Sequence, residues 1–430
     1  MVSERPTKKL NRALEFREGF EKILIDNPIK ARDADLELTR SLRDKGFKLA
    51  GQSLKAIHAP YIINITEVQE LTRSVRTISH LLEQVVDLSL NSVTLMEQLG
   101  VSPNIEELAL HDAPSRLAIE FARYDFVPTA GGPVFLEFNV DSPAGAGFSN
   151  VLDREFQKMP LAREAGLHTA FPSAPEISLY VDAILASYRE HASAVVERPN
   201  VAVVDFAGAM TMPEQEMVVA EFKSRGFTAT LADPREFEFR KSDKGLYHDG
   251  TRYHLIVRRA LVPELGRRRV LVQQFLRGIR YGDVVTINPI RSRLAGDKGI
   301  MELLTSVAFE RFFTPAENQA KARFLPWTRK LLDRFTDYHG REINLLDFIA
   351  SRPEKFVLKP GGGFGGQDVI LGKFCTGTEW RTRLDEFLYQ GGVVQEYVPV
   401  RKHATPITEG AEVISQDSYL TLGAFAIRGE

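Results

Sequence analysis

The chain has 430 residues, 43% hydrophobic and 26% charged, a composition of an ordinary globular protein long enough for two or three domains. Its 55 Lys and Arg offset 57 Asp and Glu, so the net charge of −2 gives no argument for a nucleic-acid or anionic-membrane partner. Cys375 is the single cysteine, which excludes an intrachain disulfide and a cysteine zinc cluster. The polar start of the sequence lacks the apolar core of a signal peptide, and no run is long and apolar enough to span a bilayer. A cytoplasmic location is expected.

Residues 10–120 read mainly as helices. Across 63–88, Val68, Leu71, Val75, Ile78, Leu81, Leu82 and Val85 recur at helical spacing, with Thr66 and Gln69 forming a candidate capping box. A strand is predicted over 134–140, ahead of a polar, glycine-containing turn. Residues 171–175 read as a connector into a helix reaching about 196. Residues 200–205, 213–223 and 228–231 then read as strand, helix and strand, a β–α–β unit. Next come hairpin signals from 237 to 259, a helical stretch at 262–279 and a strand at 283–287. Helices are predicted at 297–304 and 315–333. From 356 onward the pattern gives a hairpin, a helix over 378–389, and strands at 393–397 and 420–427. The last of these is expected to leave an exposed sheet edge.

The most informative stretch is Lys359-Pro-Gly-Gly-Gly-Phe-Gly-Gly-Gln. Glycines let backbone N–H groups approach an anion closely, and an adjacent lysine supplies a charge for phosphate. Gly361, Gly363 and Gly366 fit the dinucleotide fingerprint by letter, but that motif requires a helix next. Here a β-rich run follows, so the pattern predicts strand, flap and strand. No Gly-Lys-Ser/Thr ends the loop, and no protein-kinase or nucleophile-elbow motif occurs.

Three further groups carry chemistry. Glu137 and Asn139 lie two residues apart on a strand and share a face, with Leu136, Phe138 and Val140 expected on the core side. Asp125, in Arg123-Tyr-Asp125, is expected on a neighbouring strand joined through the turn at 129–133. Three such oxygen donors suit Mg2+, although a solvated polar face fits the spacing equally. Lys298 is expected in the first turn of a helix opened by Asp297, where it opposes the helix dipole. It is either a phosphate-binding lysine or a surface one. Gln395-Glu-Tyr-Val398 closes a short strand and can present backbone N–H and C=O groups to an adenine edge, or serve as an ordinary core strand. Arg258 and Arg259 are candidates for an acidic substrate or plain surface charges.

Taken in order, Arg123-Tyr-Asp125, Glu137-Phe-Asn139, Asp297-Lys298, Lys359 with its glycine loop, and Gln395 to Val398 resemble the circularly permuted ATP-grasp ligases. The resemblance covers roughly residues 115–398. It is to the synthetase half of glutathionylspermidine synthetase and, more distantly, to eukaryotic glutathione synthetase. It implies an α/β (α+β) fold: a helical region at 1–115, metal-binding strands at 116–175, a small Rossmann-like substrate-side subdomain at 176–295, and a nucleotide-binding subdomain at 296–430. It implies ATP and Mg2+ as cofactors, the metal on Asp125, Glu137 and Asn139. ATP would lie on Lys298, Lys359, Gly362, Gly363, Phe364, Gly365, Gly366, Gln395, Glu396, Tyr397 and Val398. Arg123 would stabilise charge in the reaction, which joins a small-molecule carboxylate to an amine through an acyl phosphate. The loop lacks the family's arginine, and Asp297 stands in place of its asparagine, so a reaction class is implied without a particular substrate. The same residues serve a small-molecule phosphotransferase or a non-catalytic nucleotide-binding protein.

Overall fold

The computed structural model describes residues 7–49, 52–53, 59–112, 117–170, 175–361, 368–400, 402–410 and 412–430. These form two compact units. One comprises residues 1–72, 142–287 and 401–420; the other comprises 73–141, 288–400 and 421–430. Among the described residues no helix is long and apolar enough to cross a membrane.

In the first unit, the helices Thr7–Asp26 and Pro28–Asp44 meet the segment 159–167 in a core of Phe20, Leu24, Ala31, Ala34, Met159, Leu161 and Leu167. A parallel sheet follows, ordered Val285–Ile287, Leu255–Arg258, Val201–Val204, Ala229–Ala232. All four residues of Val201–Val204 are buried, as a strand covered on both faces requires. The helix Met212–Ser224 joins it to Ala229–Ala232, so the β–α–β pattern is realised. The hairpin differs from expectation. Its last strand is Thr251–Tyr253, and Leu255–Arg258 belongs to the parallel sheet. The continuous apolar run of Leu255, Ile256 and Val257, all fully buried, marks that change. The predicted helix at 262–279 is broken into Val262–Arg267 and Gln273–Tyr281. An antiparallel ribbon, Lys402–Glu409 with Glu412–Tyr419, was not signalled by the sequence pattern.

In the second unit, the strand Phe121–Thr129 sits between Gly132–Asn139 and Leu422–Ile427, all antiparallel. Leu422–Ile427 is an edge of this sheet among the described residues. A second antiparallel sheet is ordered Thr328–Lys330, Gly392–Glu396, Phe356–Pro360, Ile370–Leu371. One face of it packs Phe356, Leu358 and Val394 against Trp327, Trp380, Leu384 and Phe387. The predicted helix at 315–333 ends at Phe324, and Thr328–Lys330 is a strand. Pro326 accounts for the break, since it disfavours a helical Leu325 and cannot donate to the helix ladder.

The long helix is Ile65–Leu90, and its cap is not the expected pair. Asn64 Oδ1 accepts from the Glu67 N–H at 2.9 Å, and Glu67 Oε2 accepts from the Asn64 N–H at 2.8 Å. The reciprocal box therefore lies two residues before Thr66 and Gln69.

Candidate functional site

The hairpin Phe121–Thr129 and Gly132–Asn139 sets four polar residues in one block. Antiparallel register places Asp125 opposite Glu137 and Arg123 opposite Asn139. Residues two apart on a strand share a face, so all four side chains emerge together. Tyr124 and Phe138 point the other way and are buried with their rings edge-on at 5.7 Å. Asn288 fixes the ends of both strands. Its Oδ1 accepts from the N–H groups of Glu120 and Phe121, and its Nδ2 donates to the carbonyls of Phe121 and Val140.

The alternation expected over 134–140 fails at one residue. Register shifts between Asp125 and Phe126, which pair with Glu137 and Phe135, so Leu136 is the extra residue of a β-bulge. Leu136 is consequently only half-buried, while Phe135, Phe138 and Val140 fill the core. Its carbonyl accepts a hydrogen bond from Lys359 Nζ at 2.8 Å.

Lys359 lies on Phe356–Pro360, on the face opposite the Trp327–Trp380 core. Burial pulls its ammonium down to a pKa of about 8; Glu137 and Asp125 favour the charge and Lys298 opposes it. Lys298 is also lowered, chiefly by burial, with Glu137 and Asp297 acting the other way. Its Nζ donates to the Pro360 carbonyl at 2.6 Å. Lys298 stands at the N-cap of Gly299–Thr305, not within the first turn as expected. Asp297 receives the Gly299 N–H at 3.0 Å, and burial raises its own pKa. Two lysines thus converge on the carboxylate-bearing hairpin. Both ammonium groups are partly stripped of water, and each feels the Glu137 carboxylate.

The charge balance of the hairpin has one further member. Arg123 clasps Asp125 through Nε–Oδ1 at 2.7 Å and Nη2–Oδ2 at 2.9 Å, and Asn139 Nδ2 donates to Asp125 Oδ2 at 3.1 Å. Among the described residues, the Glu137 carboxylate and the Asn139 side-chain Oδ1 have no hydrogen-bond donor. No group of three His, Cys, Asp or Glu side chains suited to a metal occurs among the described residues. The block offers instead two carboxylates and one amide, a donor set that fits Mg2+ when phosphate oxygens complete its shell. For Asp125 to serve there, Arg123 must release it. Gly423 lies opposite Asp125 on the edge strand. A Cβ there would meet Arg123 Cδ at 3.0 Å and Asp125 Oδ1 at 3.3 Å, so the missing side chain makes room for the ion pair. Asn288 and Gly423 carry no motif of their own; only strand pairing reveals them.

The strands on either side of residues 362–367 pair antiparallel, Val357 with Leu371 and Leu358 with Ile370, so the two expected flanking strands are present. Gly362, Gly363, Phe364, Gly365 and Gly366 themselves lie outside the described residues. Gln395 is buried and donates to Thr328 Oγ1 at 3.1 Å. Glu396 accepts from Tyr338 Oη at 2.7 Å, and its carboxylate also meets His339 at 3.1 Å. The N–H groups of Glu396 and Tyr397 donate to the carbonyls of Trp327 and Lys355, so both are used within the protein. The Val398 N–H has no such partner among the described residues.

In the other unit, Val201–Val204 has its chain successor on one side and Leu255–Arg258 on the other. The crevice of an open parallel sheet forms at such a reversal, beyond the carboxyl ends of the strands. Asp205, Arg258 and Arg259 sit there, and all three are buried, so the arginines are not surface charges. Arg259 donates to the Pro143 carbonyl at 2.5 Å and to Glu214 at 3.3 Å. The other Glu214 oxygen receives the N–H groups of Gly145 and Gly147, both at 2.8 Å. Burial raises the Asp205 pKa, against the Gln215 amide that favours its charge.

No protein-family model matches the chain, and no curated protein matches it in sequence. A glutathione synthetase-like effector from Globodera pallida, solved in its apo form, superposes with a TM-score of 0.62 at 13% identity, over 91% of this chain and 88% of its own. The chain shares that effector's fold. At this identity the likeness concerns fold alone. Two other solved structures overlap it in part. A RimK-domain ATP-grasp protein from Sphaerobacter thermophilus covers 46% of this chain and 65% of its own, at 16% identity and a TM-score of 0.27. The ATP-grasp ligase PsnB, solved with a minimal precursor, Mg and ADP, covers 47% of this chain and 66% of its own, at 14% identity and a TM-score of 0.26. Neither overlap is close enough to bear on the fold.

Proposed function

We propose that the protein is an ATP- and Mg2+-dependent carboxylate–amine ligase of circularly permuted ATP-grasp type, forming an amide bond through an acyl phosphate. The observation that carries this reading is the convergence of Lys298 and Lys359 on the Asp125, Glu137 and Asn139 hairpin, beside a glycine-rich strand–loop–strand. The order along the chain, carboxylates before lysines, is that of the permuted form.

Phosphoryl transfer asks a protein mainly for positioning and charge neutralisation. Lys298 and Lys359 neutralise phosphate oxygens, and binding a polyanion restores the charged form that burial disfavours in Lys359. Asp125, Glu137 and Asn139 would hold Mg2+, which would supply further neutralisation of the phosphates. Arg123, released from Asp125, is then available to the carboxylate being activated. The backbone N–H of Val398 reads the adenine edge, and the glycine-rich sequence at 362–366 is assigned to the phosphates. The γ-phosphoryl group passes to a carboxylate oxygen, ADP leaves, and an amine displaces phosphate from the acyl carbon. The buried Arg258 and Arg259, the latter paired with Glu214, are kept as candidates for an acidic ligand within their own unit.

Hydroxylamine trapping tests the reaction class. The protein is incubated with ATP, Mg2+ and pools of amino acids and short peptides, and hydroxamate is measured against ADP. Equal amounts of hydroxamate and ADP are expected. ADP release with a phosphorylated product and no hydroxamate would replace the ligase with a phosphotransferase.

A further inference from the structure

The net charge of −2 conceals a local excess of positive charge. Between residues 265 and 282 there are five arginines, Arg267, Arg268, Arg269, Arg277 and Arg280, and no acidic residue. This stretch holds the turn after Val262–Arg267 and the helix Gln273–Tyr281. The helix is firmly seated on its inner side. Phe275, Gly278 and Ile279 are buried, and Gly278 lies so close to Leu246 that a Cβ there would collide with it. Its outer side is thereby fixed. Gln273, Gln274, Arg277, Arg280 and Tyr281 are exposed, and Arg277 and Arg280 fall on one face at i and i+3.

The turn leading into this helix carries two aliphatic side chains that the fold does not cover. Val270 is 88% exposed and Leu271 is 61% exposed. Arg267 and Arg268, also exposed, precede them with the half-buried Arg269 between. Arg268 stacks on Phe206 at 4.2 Å, which holds one charge beside the turn. On the adjoining hairpin Glu238 pairs with Arg240 at 2.9 Å, while Glu264 and Asp283 bound the stretch. Adjacent uncovered aliphatics at a turn, ringed by cations, are the pattern of a surface that dips into the headgroup region of an anionic bilayer. A nucleic-acid surface would set aromatic platforms among the cations. Tyr281 is the one exposed aromatic of the stretch, and Arg280 already stacks on it at 4.7 Å.

We infer that the turn at 268–272, with the outer face of Gln273–Tyr281, is a docking surface for anionic phospholipid membranes. The arginines attract the surface, and Val270 and Leu271 insert between headgroups. Binding is reversible and peripheral, and it is independent of nucleotide.

Co-sedimentation of the full chain with vesicles tests this, using phosphatidylcholine alone and phosphatidylcholine mixed with phosphatidylserine. Binding is expected only to the mixed vesicles and is lost in high salt. Arg277→Gln with Arg280→Gln should weaken it by about 30-fold, taking the usual surface attraction of each arginine. Val270→Ser with Leu271→Ser should weaken binding at every ionic strength while leaving its salt dependence intact. All four positions are exposed, and an unchanged melting temperature confirms that the variants are folded. Absence of binding to the mixed vesicles, equal binding to neutral ones, or unaltered binding by both double variants overturns the inference. So does tighter association with single-stranded RNA than with vesicles.

Discussion

Replacing Lys359 by methionine separates what the buried ammonium does for the site from what it does to the fold. Methionine keeps most of the side-chain volume and removes the charge. In the wild type, burial lowers the lysine to about 8, while an unfolded lysine titrates near its ordinary value of 10.5. The folded chain therefore binds fewer protons than the unfolded chain between these limits, and stability rises with pH across that window. Below about pH 8 the full penalty of a buried cation is present; above about 10.5 it is gone. Linkage over these two values gives a gain of about 1 kcal/mol for the wild type between pH 7 and pH 9. Lys359→Met lacks this term. Urea unfolding of both proteins at the two pH values measures it. The wild type should gain stability relative to the variant by roughly that amount, and the variant should lose most of its nucleotide affinity. Parallel pH dependences would show that Lys359 is ordinarily solvated and would refute the reasoning behind the site.

Three other expectations concern the hairpin. Asn288→Ala removes four hydrogen bonds that pin the strand ends, and should cost about 3 kcal/mol, read from the denaturation midpoint. Gly423→Val presses on Arg123 and Asp125; it should lower turnover at least tenfold with a stability loss of only about 1 kcal/mol, as befits a partly exposed ion pair. Asp125→Asn keeps the shape and removes the charge, so ADP release should fall below detection while the melting temperature stays within a few degrees. Unchanged turnover there would remove Asp125 from the site.

Much of this site could be read from residue order. Glu137 and Asn139 share a face because strands alternate, and the glycine loop could be placed between strands because a β-rich run, not a helix, follows it. Strict alternation, however, hid the bulge. It assigned Leu136 to the core, when the extra residue turns its carbonyl to Lys359. Asn64 and Thr66 are both competent caps, and the choice rests on Glu67 lying three residues after Asn64. Thr328–Lys330 is too short to show a period, and it follows a helix whose polarity it continues. The ribbon Lys402–Glu409 and Glu412–Tyr419 is largely polar on both faces, so no alternation announces it. Asn288 and Gly423 act through strands distant in sequence, which no local pattern encodes.

Binding of nucleotide phosphates by Lys298 and Lys359 is the property on which the proposed chemistry depends. Calorimetric titration with ADP and a non-hydrolysable ATP analogue, with and without Mg2+, measures this directly. The wild type should bind both ligands, the triphosphate more tightly with Mg2+ present, and Lys298→Met and Lys359→Met should each lose most of that affinity. Nucleotide binding that ignores both substitutions, or no binding by the folded wild type, would contradict it.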